Sequence, residues 1–363
     1  MAMQRVDLGF EPEPMLAVVV TPPRSEYPEA VDVQSYYDRA IAEIEALPGV
    51  RAAAATGRLP LNHEVDITGF SHPSRVPASV DDWARGLMNS VSPGYFETME
   101  IPIVSGRDFQ AADTEGGPPV VVVSQRLARE VWPQEGPLGQ SIVLTDDGDE
   151  LMTATVIGVV GDIRFEGITS EERPQIYRPI DNTSSRRRFI VVAASASRNA
   201  IVNLVRQTLL QADGNLPVNI VTMNSIVDQN ALPYSISSML LAVLGAASLL
   251  LASLGVYGVI AYSVAQRRKE IGVRMALGAS RGGVRKLFVG EGLKLSSLGL
   301  GVGIVLSLVV SNLLRAVLYG VGAFDLVTFG VVLGVFLLVA VIASLVPAIR
   351  ASRVDPVGVL RYE

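Results

Sequence analysis

Gly278 and Gly283 stand five residues apart in "GASRGG", the separation used by loops that cradle a nucleotide's phosphates. Such a loop needs lysine and then serine or threonine next, because the ammonium meets the phosphates and the hydroxyl holds magnesium. Val284 and Arg285 follow instead, so this stretch cannot hydrolyse ATP by that route. Two histidines, His63 and His72, occur in "LNHEVDITGFSHP" beside Glu64 and Asp66. These residue types bind zinc, but their spacing fits no defined site, and the segment reads as an exposed loop. The acidic run "TDDGDE", Thr145 to Glu150, lacks the alternation and distal glutamate of a calcium loop and reads as a solvated hairpin tip. There is no G-x-S-x-G element for a serine hydrolase. The absence of cysteine excludes disulfides, thiolate metal sites and thiol nucleophiles. No catalytic residue, metal or cofactor is expected.

What remains is a stretch with a different chemistry. "QRRKEIGVRMALGASRGGVRK", Gln266 to Lys286, carries seven cationic side chains and a single acid, Glu270. It directly follows a run without charge from Asp228 to Arg267. Cations at that place can anchor to anionic lipid headgroups or meet an acidic partner.

The elements that position this stretch follow from composition. The 363 residues are 49% hydrophobic and only 18% charged, with a mean hydropathy of +0.37, which points to membrane residence. Residues 1–266 hold 18 Lys+Arg against 31 Asp+Glu, whereas residues 267–363 hold 12 against 5. An acidic domain joined to a basic membrane part argues against nucleic acid as a partner. Three charge-free runs, near 235–262, 295–314 and 326–349, each reach the length of about 20 residues that a membrane span needs. The only polar residues within these runs are Ser, Thr, Asn and Tyr, which argues against an ion-coupled carrier. The glycines of "GLGVGIV" in the second run are expected to permit close helix packing.

The loop Arg267–Lys294 carries eight Lys+Arg and two Asp+Glu, so this loop and the C-terminus are expected in the cytoplasm and residues 1–228 outside. The opening "MAMQRVDLGFEPEP" has no apolar segment to direct export, so an apolar helix upstream of this sequence is expected.

The outer domain, 1–228, reads as an α+β sandwich of two βαβ units with an inserted β-rich subdomain; residues 229–363 form the membrane domain. The first unit has strand Leu16–Val20, a helix over Val33–Leu47 with Asp32 as N-cap, and strand Val50–Thr56. The second has strand Phe189–Ala194, a helix near Asn199–Ala212 and strand Val218–Met223. Between them, strand Val120–Val123, a helix capped by Ser124 and the strand "TATVIGVVGDI" belong to the insert.

The stretches "LPGVRAAAATGRLPL", "VSPGYFETMEIPIVSGRDF", "VVVVSQRLAREVWPQEGPLGQSI", "RRKEIGVRMALGASRGGV" and "PAIRASRVDPVGVLRYE" run along nearly the whole chain. Through them the sequence resembles permeases of the MacB/FtsX superfamily, and among these one half of the duplicated orphan permeases. The resemblance implies four membrane helices per unit, the first preceding the outer domain. It also implies a bacterial inner-membrane location and a short cytoplasmic helix after the second span that engages an ABC ATPase.

The coupling residues so implied are Arg267, Arg268, Lys269, Glu270, Ile271, Gly272, Arg274, Met275, Ala276, Gly278 and Ala279. Read residue by residue, Ile271 and Met275 lie four apart on one face and Glu270 pairs with Arg274. Gly278 stops the helix, Ser280 caps the next, and the small residues admit a close partner. Arg353, Asp355 and Pro356 are expected to form a second cytoplasmic contact, with a partner or with the coupling loop, and Pro356 to end any continuation of the third span. The expected partners are a cytoplasmic ABC ATPase, a second permease unit, the bilayer and an envelope protein. The expected function is export or mechanotransmission powered by that ATPase; an alternative is a non-transporting scaffold that regulates an envelope enzyme.

Overall fold

The computed structural model describes residues 7–113, 117–145, 151–180, 186–195, 198–212, 218–277, 279–314 and 326–352. The chain divides at Pro233 into two compact units, five residues beyond the boundary expected at 228.

In the first unit, β1 (Met15–Val20), α1 (Ala30–Glu45) and β2 (Val50–Thr56) form one βαβ element. The second consists of β10 (Arg188–Ala194), α4 (Arg198–Ala212) and β11 (Asn219–Thr222). The two interleave into one antiparallel sheet ordered β11-β1-β10-β2, the split-βαβ arrangement. Alternation along the strands sends side chains to two cores. Leu16, Val18 and Val20 of β1 join Ile190, Val192 and Ala194 of β10 under the helices, against Tyr37 and Ile44 of α1 and Val205 and Leu209 of α4. Met15, Ala17, Phe189 and Val191 point to the other face.

The expected cap of α1 shifts by one turn. The N-cap residue is Glu29, and Asp32 sits inside the first turn, where its carboxylate accepts from the Glu29 N–H at 3.1 Å. Arg188, fully buried at the start of β10, donates to Gln34 Oε1 at 2.6 Å and lies 5.1 Å from the Tyr37 ring centre. Burial raises the Tyr37 phenol to about 12.

The insert is a closed ring of strands. β3 (Asp66–Ser71), β4 (Ala84–Val91), β6 (Val120–Ser124), β7 (Ser141–Thr145), β8 (Leu151–Val160) and β9 (Gln175–Pro179) pair in the cycle β4-β3-β7-β8-β6-β9 and back to β4. Closure pairs strand edges that would otherwise stay open. β5 (Ile103–Gly106) adds to β8 outside this cycle. Between β6 and β7, α3 (Gln125–Val131) starts at Ser124, whose Oγ accepts from Leu127 N at 3.4 Å, as expected. The acidic run after Thr145, expected as a solvated hairpin tip, lies outside the described residues.

"LNHEVDITGFSHP" is not the loop that was expected, because Asp66–Ser71 is strand β3. Its acids are held by arginines: Glu64 by Arg187 at 2.9 Å and Asp66 by Arg58 at 2.8 Å. His72 caps a short 3-10 turn, with its ring nitrogen 3.2 Å from Ser74 N. Among the described residues no three His, Asp or Glu side chains gather as a ligand set.

"VSPGYFETMEIPIVSGRDF" builds core. It leaves β4, turns at Gly94 (φ 78°) into α2 (Tyr95–Thr98), and returns through β5 to Gly106 (φ 79°). Tyr95, Phe96, Met99, Ile101 and Phe109 all enter the main apolar cluster. Asp108 Oδ2 accepts from Gly94 N at 3.1 Å and closes the excursion.

Just beyond, Arg107 grips Asp113 with two hydrogen bonds of 2.7 and 2.9 Å, and Gln110 N donates to Asp113 at 2.7 Å. The guanidinium holds this carboxyl, only 11% exposed, below its ordinary value of 3.8. A depressed acid stabilises the fold above its unfolded value, and the contribution is lost as pH falls through the folded one. The melting temperature of Arg107→Gln should therefore lie below wild type at neutral pH, and the gap should close below about pH 3.8. Thermal unfolding in detergent across pH checks this.

Among its described residues the second unit contains three long helices and a short one. α5 (Met223–Gln266), α7 (Arg281–Leu314) and α8 (Leu326–Ala351) are each long and apolar enough to cross a membrane, and α6 (Arg268–Ala276) is the short link after α5. The first turns of α5 belong to the first unit: Met223 and Ile226 join its main core, and Asn230 Nδ2 donates to Leu61 O at 2.6 Å.

The glycines of "GLGVGIV" do not mediate close packing. A methyl group added at Gly299, Gly301 or Gly303 would meet no atom within 4 Å, and Gly299 and Gly303 line a cavity of about 510 Å³ among α5, α7 and α8. The close approach of α7 to α8 is at Gly292, where an added Cβ would collide with Ser344 Oγ.

Candidate functional site

The basic stretch folds as an elbow at one end of the three-helix bundle. Arg267 is the break between α5 and α6, yet backbone bonds cross it: Arg267 N donates to Ser263 O at 3.1 Å and Ile271 N to Arg267 O at 2.9 Å. After α6, Ala279 N donates to Arg274 O at 2.9 Å, the six-to-one bond of a Schellman ending. Ser280 then caps α7, its Oγ accepting from Gly283 N at 3.2 Å, as expected. Gly278 lies outside the described residues, as do Arg353, Asp355 and Pro356.

One face of α6 turns inward. Ile271, 4% exposed, packs with Ile260 of α5, Val284 and Phe288 of α7 and Ala348 of α8; Met275 leans on the same cluster and Gly272 is buried. This corrects the reading of Ile271 and Met275 as a pair offered to a partner, because they already seat α6 in its own bundle. The outward face carries Lys269, Val273, Ala276 and Leu277, at i, i+4, i+7 and i+8. Leu277 is 83% exposed and Val273 is 44% exposed. Arg274 and Glu270 pair along the flank of the helix, as their spacing predicts, while Arg268 and Ala279 are exposed at the ends of the elbow.

Residues that sequence reasoning passed over hold the elbow. Glu291 of α7 accepts from Arg267 Nη1 at 2.8 Å, and Ser263 Oγ lies 3.4 Å from its other oxygen. Arg285 of α7 donates to Ser352 Oγ at 3.0 Å, and Arg350 of α8 donates to Tyr257 OH of α5 at 3.0 Å. Glu291 was missed because the second span was expected to begin at 295, whereas the helix begins at Arg281 and runs through Glu291 into the apolar run. The available signal was its sign, the single acid between Arg281 and Lys294.

The MacB-like periplasmic core domain family matches residues 3–208, more than half of the chain, and the FtsX-like permease C-terminal family matches residues 242–356. The chain belongs to the MacB/FtsX-like permeases. It is 27% identical over 355 residues to the uncharacterized ABC transporter permease YknZ of Bacillus subtilis, covering 91% of this chain and 85% of that protein. It is 29% identical to the macrolide export ATP-binding/permease protein MacB of Acinetobacter baylyi, over 77% of this chain and 43% of that one. For the pyoverdine export ATP-binding/permease protein PvdT of Pseudomonas entomophila the values are 28%, 85% and 48%. The chain thus spans less than half the length of these two ATP-binding/permease relatives. The periplasmic region of MacB from Actinobacillus actinomycetemcomitans aligns with 63% of this chain and 97% of that one at 14% identity, with a TM-score of 0.42. As a MacB/FtsX-like permease the chain is a membrane protein of the ABC-transporter permease type, with a MacB-like periplasmic unit followed by its FtsX-like helices.

Proposed function

We propose that this permease is the membrane subunit of an export or mechanotransmission system, driven by a separate cytoplasmic ABC ATPase that docks on the outward face of α6. The observation that carries the reading is Leu277, an 83% exposed leucine on a short helix among Arg268, Lys269 and Arg274. An exposed apolar side chain rimmed by cations suits a protein groove with an acidic border. The basic loop Arg267–Lys294 supports a cytoplasmic elbow in the inner membrane, with the acidic first unit outside. ATP-driven movement of α6 would reach the outer unit through α5, whose first turns lie in that unit's core. Envelope cargo or an envelope protein, and a second permease unit, complete the proposed assembly. The tail Arg353–Pro356 is proposed as an additional contact to the ATPase.

The chain has no cysteine, so Leu277→Cys provides a single reporter. In sealed vesicles, a membrane-impermeant maleimide should label it only when the cytoplasmic face is outward. A short cross-linker should join it to an ABC ATPase in a nucleotide-dependent manner. Labelling from the opposite face, or no cross-link to an ATPase in either nucleotide state, overturns the reading.

A further inference from the structure

Three polar clasps close a circuit around the base of the bundle. The α5–α6 junction gives Arg267 to Glu291 of α7; α7 gives Arg285 to Ser352 at the end of α8; α8 gives Arg350 to Tyr257 of α5. α7 and α8 each give an arginine and receive one, and α5 receives one and ends at the junction that gives the third. Inside the circuit lies the apolar cluster into which α6 inserts Ile271. Among the three, the Arg267–Glu291 clasp differs in kind. It is the only one joining two full charges, and Arg267 is also the N-cap of α6, so it sets where that helix begins. Glu291 is held at both oxygens from the α5 side, by Arg267 and by Ser263. A carboxylate so placed fixes the junction against α7, and α7 in turn is tied to α8.

We infer that Glu291 is the positioning residue that keeps α6 seated, so that a push on α6 is delivered to all three long helices as one body. Without it, α6 would swing at Arg267 and its motion would dissipate in the elbow. This deepens the coupling reading above and rests on it for what pushes α6. The joint itself involves only this chain.

The test uses the full chain carrying Ile271→Cys, which places the sole thiol inside the seat of α6. Maleimide labelling of that thiol reports how often α6 lifts. In this background Glu291→Gln keeps the size of the side chain and removes its charge, and labelling should accelerate by about two- to fivefold, the scale for losing a partly exposed ion pair. The exchanged pair, Arg267→Glu with Glu291→Arg, should return labelling towards the reference rate. With the ATPase present, Glu291→Gln should lower stimulated turnover while the subunits still co-purify, and the exchanged pair should recover it. Unchanged labelling in Glu291→Gln, or equal acceleration in the exchanged pair, overturns the inference. If labelling behaves as stated but wild type shows no stimulated turnover, the joint stands and the coupling reading falls.

Discussion

Gly292→Leu should abolish accumulation of the folded permease, and Gly292→Ala should lower its stability by about 1–3 kcal/mol, the range for forcing extra methyl groups into a packed interior. A Cβ at this position would overlap Ser344 Oγ and lie 2.9 Å from Ser344 Cβ. The hydroxyl could turn aside only by giving up its 2.6 Å bond to Ala340 O, and the Cβ is fixed to the backbone of α8. Ser344 is fully buried, so neither atom has free space to enter. The remaining response is for α7 to draw back from α8, which also strains the clasp at the adjacent Glu291. Gly290, with nothing within 4 Å of its would-be Cβ, is the control: Gly290→Ala should be tolerated. Pairing Gly292→Ala with Ser344→Gly should recover much of the loss. Detergent-solubilised yield and thermal unfolding decide it; normal accumulation of Gly292→Leu would show that the helices do not meet there.

The second large effect is functional. Leu277→Asp should reduce partner-stimulated ATP hydrolysis at least about tenfold, the scale of an interface anchor, while leaving insertion and melting temperature near wild type. Leu277 touches little of its own chain, so its loss removes only what a partner supplies. Arg274→Glu should act in the same direction by two routes. It places a carboxylate one turn from Glu270, where the ion pair now stands, and it turns any acidic partner group repulsive. The other cations of the elbow keep the positive-inside bias, so topology should hold. Steady-state hydrolysis by the reconstituted pair is the measurement, and wild-type turnover in Leu277→Asp would remove α6 from the interface.

The contrast between Leu277 and Ile271 shows where sequence reading stops. Ile271/Met275 and Val273/Leu277 are both apolar pairs four residues apart on the same nine-residue helix and its cap. Periodicity marks both stripes and cannot say which one the chain's own helices cover. Hydropathy has a related limit at α7. It measures what tolerates lipid, not what is helical, so the fourteen residues before Leu295 read as loop although the helix runs through them. In the outer unit, β1, β2, β10, α1 and α4 were legible because each is a sizeable apolar pattern bounded by turn residues. β3, β4 and β9 were not: "DITGFS", "ARGLMNSV" and "QIYRP" have little alternation of their own. They are strands because a ring of partners, distant in sequence, completes their backbone hydrogen bonds, and such closure leaves no local trace.

The interleaved order β11-β1-β10-β2 also has a consequence in time. β1 lies between two strands from the far end of the unit, and β2 ends about 130 residues before β10 begins. At a synthesis rate of roughly 5–20 residues per second, the first βαβ element waits on the order of ten seconds for the strand that completes it. Its apolar faces, including the buried side of β1, are exposed for that interval, and the closing strands emerge only just before α5. The sheet of the first unit therefore closes only as α5 begins to emerge, and because Met223 and Ile226 of α5 belong to the same core, completing that unit and starting this helix are one event.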